Sequence, residues 1–157
     1  MDMAIDRYLF KAKRIDNGEW EIGSLIALPT GEYEIGNKCI NPPDSDPMWK
    51  KVLITHKVDP STICQCTGLR DKNGELIWEN DVVLYSIEKE LWYRGVIVWE
   101  KEISIAGWKN KICYSHNGYQ NYKTESGCTR IDRDFALERI GNIFDNPELL
   151  EVEDDGE

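Results

Sequence analysis

A mainly β fold is predicted, with antiparallel sheet curled into a small barrel and a short helix at the C-terminus. Three observations point there. Ile, Val and Thr total 30 residues and aromatics 16, against five Ala, a balance that suits half-buried pleated surfaces better than helices. Short alternating apolar runs recur between Gly, Asn and Pro turn signals along the whole chain. The 157 residues, 41% of them apolar, are the size of one ordinary domain. Leu, Ile, Val and Phe number 38, enough for a packed core despite the charge.

The first strand follows from Tyr8, Phe10 and Ala12 on one face and Lys11 and Lys13 on the other, closed by the turn Asp16-Asn17-Gly18. Trp20, Ile22, Ile26 and Leu28 continue the apolar face on a second strand, completing an N-terminal hairpin that Pro29-Thr30-Gly31 ends. Residues 33–40 are read as a third strand, and residues 41–47, NPPDSDP, as a loop. After Pro60, residues 62–67 form a strand, and Asp71-Lys72-Asn73-Gly74 a turn whose Asn-Gly pair tolerates positive φ. Residues 76–78 and 82–85 extend on either side of a Glu79-Asn80-Asp81 corner.

Residues 91–99 make the most apolar strand, with Trp92, Val96 and Val98 on one face and Leu91, Tyr93, Ile97 and Trp99 on the other, so both faces need cover. Residues 103–108 and 111–114 are read as a hairpin around Lys109-Asn110, and the polar stretch 115–133 as a surface loop. Residues 139–144 return as a strand. Asn146 as N-cap, Pro147 at the first helical position and Glu148 in the first turn start a helix running through Val152. The organisation expected is a single domain over residues 1–150, with sub-lobes 1–60 and 61–150, then an acidic tail at 151–157.

The net charge is −10, and six acids with no base fall between Glu148 and Glu157, so the chain before them holds 23 acids against 19 bases, or −4. Such a run is a solvated tail by composition, and the body's mild acidity disfavours nucleic acid without excluding it, because phosphate contacts need clustered Lys and Arg. No apolar run approaches the roughly 18 residues of a membrane span. The order of charges around the N-terminal apolar residues is the reverse of a signal peptide's, and the five cysteines are odd in number and irregularly spaced. A cytoplasmic protein is expected.

Cys64 and Cys66 point to one face of their strand and could bind zinc if two further ligands converged, but His56, Cys39, Cys113, His116 and Cys128 stand singly. The bland alternative is that both are small fillers of a strand face. Asp71, Glu75, Glu79 and Asp81 flank a turn and need no acid–base or Mg²⁺ reading. Phosphate loops, Rossmann glycines, the Gly-x-Ser-x-Gly elbow and His-Glu-x-x-His are absent. No catalytic, cofactor or metal residue is therefore assigned. The aromatic and basic residues Trp92, Tyr93, Arg94, Trp99, Trp108 and Tyr114 are the candidate interaction surface, with core packing as the competing explanation.

Two stretches resemble the YopX-like proteins of phages and prophages. Residues 66–83, CTGLRDKNGELIWENDVV, preceded by VDPSTICQ, resemble that family's Thr-Gly-Leu, Asp, Gly, apolar-aromatic, Glu-Gly-Asp series through Thr67, Gly68, Leu69, Asp71, Gly74, Ile77, Trp78, Glu79 and Asp81. Residues 140–150, IGNIFDNPELL, are close to its C-terminal signature through Gly141, Asn142 and Pro147, and WEIGSLI at 20–26 fits its opening. Asn80 stands where the family usually has Gly, a substitution that left-handed backbone accepts; Cys64 and Cys66 stand in place of Gly and an aromatic. The resemblance implies a mostly β fold with a barrel-like core, prophage origin and an accessory role. With no catalytic constellation visible, the expected role is a non-enzymatic interaction module binding a host or phage protein, with self-association left open. The alternative is a nucleic-acid-associated protein, binding single strands on the barrel or mimicking DNA with its acidic tail.

Overall fold

The computed structural model describes residues 6, 8–40, 51–88, 91–100, 109–113, 128–130 and 136–150, giving backbone alone at 87–88, 91–93, 99–100, 109–113, 128–130 and 136. The chain divides into two compact units, Met1–Cys66 and Thr67–Glu157.

The first unit holds β1 (Phe10–Lys13), β2 (Trp20–Ala27), β3 (Tyr33–Ile40), β4 (Val52–Val58), a 3-10 turn at Pro60–Thr62, and the start of β5 (Cys64–Arg70). Its strands are antiparallel in the order β4-β3-β2-β1-β5. Val52, Ile54 and Val58 alternate with other residues along β4, a strand the sequence reading above does not assign. Ala12, Ile35 and Val58 are buried together, with Phe10, Leu25, Tyr33 and Ile63 packed around them. The 3-10 turn is capped by Asp59, whose Oδ1 accepts from the Ser61 N–H and hydroxyl. Thr62 Oγ1 accepts from Lys13 N, which ties the turn to β1.

The register reverses the expected face of β2. Ala12 opposes Glu21 and Ile35 opposes Leu25, so Glu21, Gly23 and Leu25 share the core side with the buried Ala12 and Ile35, while Trp20 and Ile22 point the other way. Since side chains alternate with period two, one position of phase inverts a whole strand. Ile22 is exposed and Tyr8 more so, and Lys11 and Lys13 flank the Trp20 ring with Nζ 5.0 and 5.5 Å from its centroid.

The second unit contains the rest of β5, then β6 (Leu76–Trp78), β7 (Asp81–Glu88), β8 (Leu91–Glu100), β9 (Lys109–Cys113), β10 (Cys128–Arg130), β11 (Ala136–Asn142) and a 3-10 turn at Pro147–Leu150. β6 lies beside β5, and the other five strands form an antiparallel sheet ordered β10-β9-β8-β7-β11. Ile77, Val83, Tyr85, Ile97 and Leu137 make its core, with Leu69 packed on them. Val82 and Val83, on opposite faces of β7, are both fully buried, as a central strand requires.

Four more expectations are corrected. Among the described residues the sheets are antiparallel and do not close into a barrel. In the first unit the seam between β1 and β4 is a single bridge, Arg14 to Val58; four-residue β1 gives Phe10 and Lys11 on that same edge to β5, leaving too little strand for a full ladder. The C-terminal helix is only the 3-10 turn Pro147–Leu150. A helix of one turn fixes several residues for few hydrogen bonds, and the acids that follow would lie at its negative end. Lys109-Asn110 is not a turn: both residues are in β9, opposite Glu100 and Trp99. Of the loop read at 115–133, residues 128–130 are instead strand β10, where Thr129 and its neighbours pair with β9; the rest of that loop, residues 41–47 and 103–108, and the tail at 151–157 lie outside the described residues. No helix among the described residues is long and apolar enough to cross a membrane.

Candidate functional site

The residues of the signature stretch converge in the second unit, and each polar one has a local physical task. The Thr67 hydroxyl donates to Ile77 O at 2.7 Å and accepts from Leu69 N at 3.0 Å, fixing β5 against β6. Asp71 starts the β5–β6 turn: its Oδ1 accepts from Asn73 N at 2.8 Å and Glu75 N at 3.0 Å, and its Oδ2 from Arg139 N at 3.2 Å on β11. Gly74, at φ 84°, supplies the left-handed backbone the turn needs.

The next corner is built the same way. Asn80 has φ 65°; its N–H donates to Ile97 O at 2.8 Å and its carbonyl accepts from Ile143 N at 3.1 Å, so the corner meets both β8 and the segment after β11. Asp81 is fully buried, and its Oδ2 accepts from Trp78 N and from Arg139 Nε, each at 2.9 Å. A bulge between Arg139 and Gly141 marks where β11 carries these contacts. Asn142 closes the last turn: its Oδ1 accepts from Phe144 N and Asp145 N, while Asn146 Oδ1 accepts from Asn142 N. A Cβ at Gly141 would sit 2.4 Å from that Asn146 oxygen, which explains a glycine there. Pro147 begins the final 3-10 turn.

Burial, the largest single influence on Asp71, pushes its carboxyl up, and the N–H groups of Glu75, Arg139 and Asn73 together outweigh it, leaving the group below the ordinary carboxylate range. A depressed folded value means stabilisation that is complete above the unfolded value of about 3.9 and is lost as pH falls through the folded one. Asp71→Asn is therefore expected to lose about 1–2 kcal/mol at neutral pH. Its stability should also fall less than the wild type's between about pH 4 and 2, as read by urea unfolding at a series of pH values.

The candidate metal and carboxylate residues are placed differently. Cys64 and Cys66 are both fully buried on one face of β5 and neither is in a disulfide, Cys64 Sγ donating to Thr62 O at 3.3 Å; Cys39 is exposed. Among the described residues, no group of three or more His, Cys, Asp or Glu side chains gathers as a metal site would require. Glu75 is exposed at the turn and Glu79 half-buried at the corner. Of the aromatic-basic set, Arg94 alone has a described side chain: half-buried, its Nη1 donates to Leu149 O at 3.0 Å and holds the final turn. The side chains of Trp92, Tyr93 and Trp99, and the residues Trp108 and Tyr114, lie outside the description.

A second polar cluster, in the first unit, escapes the sequence reading. Glu21 on β2 accepts from Asn37 Nδ2 at 2.5 Å, its other oxygen lies 3.8 Å from Arg14 Nη1, and His56 Nδ1 approaches that oxygen at 3.5 Å without a well-formed hydrogen bond. Arg14 is also clamped by Asp16 through two contacts of 2.9 and 2.5 Å, and this hydrogen bonding holds the Asp16 carboxyl below its usual range. The bulge between Gly36 and Lys38 brings Asn37 in. The one sequence signal was the misfit of a glutamate on the core side of β2, visible only with the correct phase.

Comparison with family models gives a match over residues 10–151 to the family described as YopX protein. No curated protein matches the chain.

Proposed function

The chain belongs to the YopX protein family, and from that premise we propose that it is a phage-type accessory protein that acts by holding another protein rather than by turning over a substrate. The observation that carries this reading is the use made of the signature side chains. Thr67, Asp71, Asp81 and Asn142 direct their oxygens at backbone N–H groups, a backbone carbonyl or a structural arginine, which supports a shared scaffold with function on its surface. Such groups, bonded inside turns, are poorly placed to meet a substrate.

The first unit offers a surface for this role. Trp20 and Ile22 lie on the non-core face of β2, and Leu53 lies over Gly36 on that same face, where Gly36 opposes Ser24. Ile22 and Leu53 are exposed at 45% and 40% and Cys39 beside Leu53 is exposed too, so apolar side chains on three strands share one open face. The partner proposed is a host or phage protein with an apolar contact surface.

The test is crosslinked capture from bacterial lysate with wild-type chain and with Ile22→Glu. The expected result is a partner retained by the wild type and reduced at least about tenfold by the charge, with thermal unfolding unchanged. Absence of a specific partner together with clear turnover in a substrate screen would overturn the reading.

A further inference from the structure

β4 is the outer strand of the first unit's sheet. Ile15 N donates to Lys57 O and Asp59 N donates to Lys13 O, so the odd-numbered residues of this strand turn their backbone groups away from β3. By the same alternation Leu53 and Thr55 turn theirs outward, and among the described residues no backbone group bonds to them there. Beside this open half-edge Ile40, Val52 and Leu53 are all exposed. Lys38 and Lys51 flank them without an anionic partner among the described residues, whereas Lys57, at the other end, is held by Glu32 at 2.7 Å.

The edge is thus short, apolar and locally basic in a chain of net charge −10. Lysines on an edge discourage pairing with a like strand, since β4 against β4 would bring Lys51 and Lys57 of two copies together, and they favour an acidic one. The chain itself carries an acidic segment of suitable length. Residues 151–157, EVEDDGE, hold five acids around Val152, and pairing with residues 53–55 needs only three or four extended residues, roughly 10–13 Å. We propose that the acidic C-terminal segment of a second copy adds to β4 as an extra strand, and that two chains exchange these segments reciprocally. Main-chain hydrogen bonds to Leu53 and Thr55 supply the pairing, and Lys38 and Lys51 meet the carboxylates. Two-fold symmetry then satisfies both edges at once. This does not rest on the reading above, because a chain with no foreign partner can still exchange its tail.

Sedimentation velocity tests it on the full chain, a variant ending at residue 150, Thr55→Pro, and the pair Lys38→Glu with Lys51→Glu. At Thr55 the N–H faces away from β3, so proline removes the outward donor while sparing the ladder; the lysine pair leaves the backbone alone and reports even if the proline variant misfolds. The full chain is expected to dimerise, with Kd rising at least about tenfold from low to high salt, and each variant to be monomeric at the concentrations where the wild type is paired. Monomeric wild type up to about 1 mM would overturn the proposal, as would a dimer that survives truncation. A monomer whose Leu53 and Thr55 amides are protected in a tail-dependent way would place the chain's own segment on the edge and overturn the exchange.

Discussion

Asp81→Ala is expected to remove about 3 kcal/mol of folding stability, the largest loss for any single polar side chain among the described residues of the second unit. The carboxylate has no exposed surface and one of its oxygens serves two donors, Trp78 N and Arg139 Nε. Truncation takes the Asp81 acceptor from the Trp78 N–H and the Asp81 counter-charge from the Arg139 guanidinium. Because the Arg139 side chain keeps about a third of its surface, part of its charge can rehydrate, which holds the loss toward the lower end of the range for broken buried pairs. Asp81→Asn keeps an acceptor oxygen and is expected to lose only about half as much. Combining Asp81→Ala with Arg139→Met should recover part of the loss, since no stranded charge remains. Urea unfolding of the four proteins is the measurement, and equal losses for Ala and Asn would show that the oxygen is not what matters.

Gly23→Ala is expected to be at least as damaging, at about 3 kcal/mol or more, by a mechanism with no electrostatics in it. A Cβ at this position would stand 2.3 Å from Gly36 O and 2.9 Å from Asn37 Cβ. Backbone carbonyls cannot swing aside as a side-chain tip can, so either β2 and β3 separate or the bulge at Asn37 is lost. Losing the bulge would also remove Asn37 from Glu21, so thermal unfolding should fall and hydrogen exchange in β3 should quicken together. An unchanged melting temperature would show that the strands can part without loss.

Much of the second unit was legible because its turns are written in local chemistry. Asp71 to Gly74 reads as a turn from four consecutive residues, and the Glu79-Asn80-Asp81 corner from the next few; both stand where expected. What joins them was not legible, because Arg139 lies 58 residues from Asp81 and no pattern announces such a pair. In the first unit the strands near Tyr8, Trp20 and Tyr33 were found, but β2 was read in the wrong phase. Trp20 and Ile22 outweighed Gly23 on hydropathy alone, although the close approach to β3 demands a glycine. Failure to close into a barrel was illegible for a related reason: it depends on how one edge of a four-residue strand is shared. The family assignment needed none of this, since the signature residues are turn formers whose order survives without knowledge of their contacts.

The bulge at Asn37 has an evolutionary consequence. It is a one-residue insertion whose accommodation requires position 23, on another strand, to lack a side chain. Related chains should therefore treat the two sites as one inherited character. Where an aligned relative carries a gap opposite Asn37, selection on position 23 is released and larger residues can accumulate there; where the insertion is kept, position 23 should stay glycine through otherwise extensive divergence. A set of relatives in which the two vary independently would show that the strand spacing has drifted within the family.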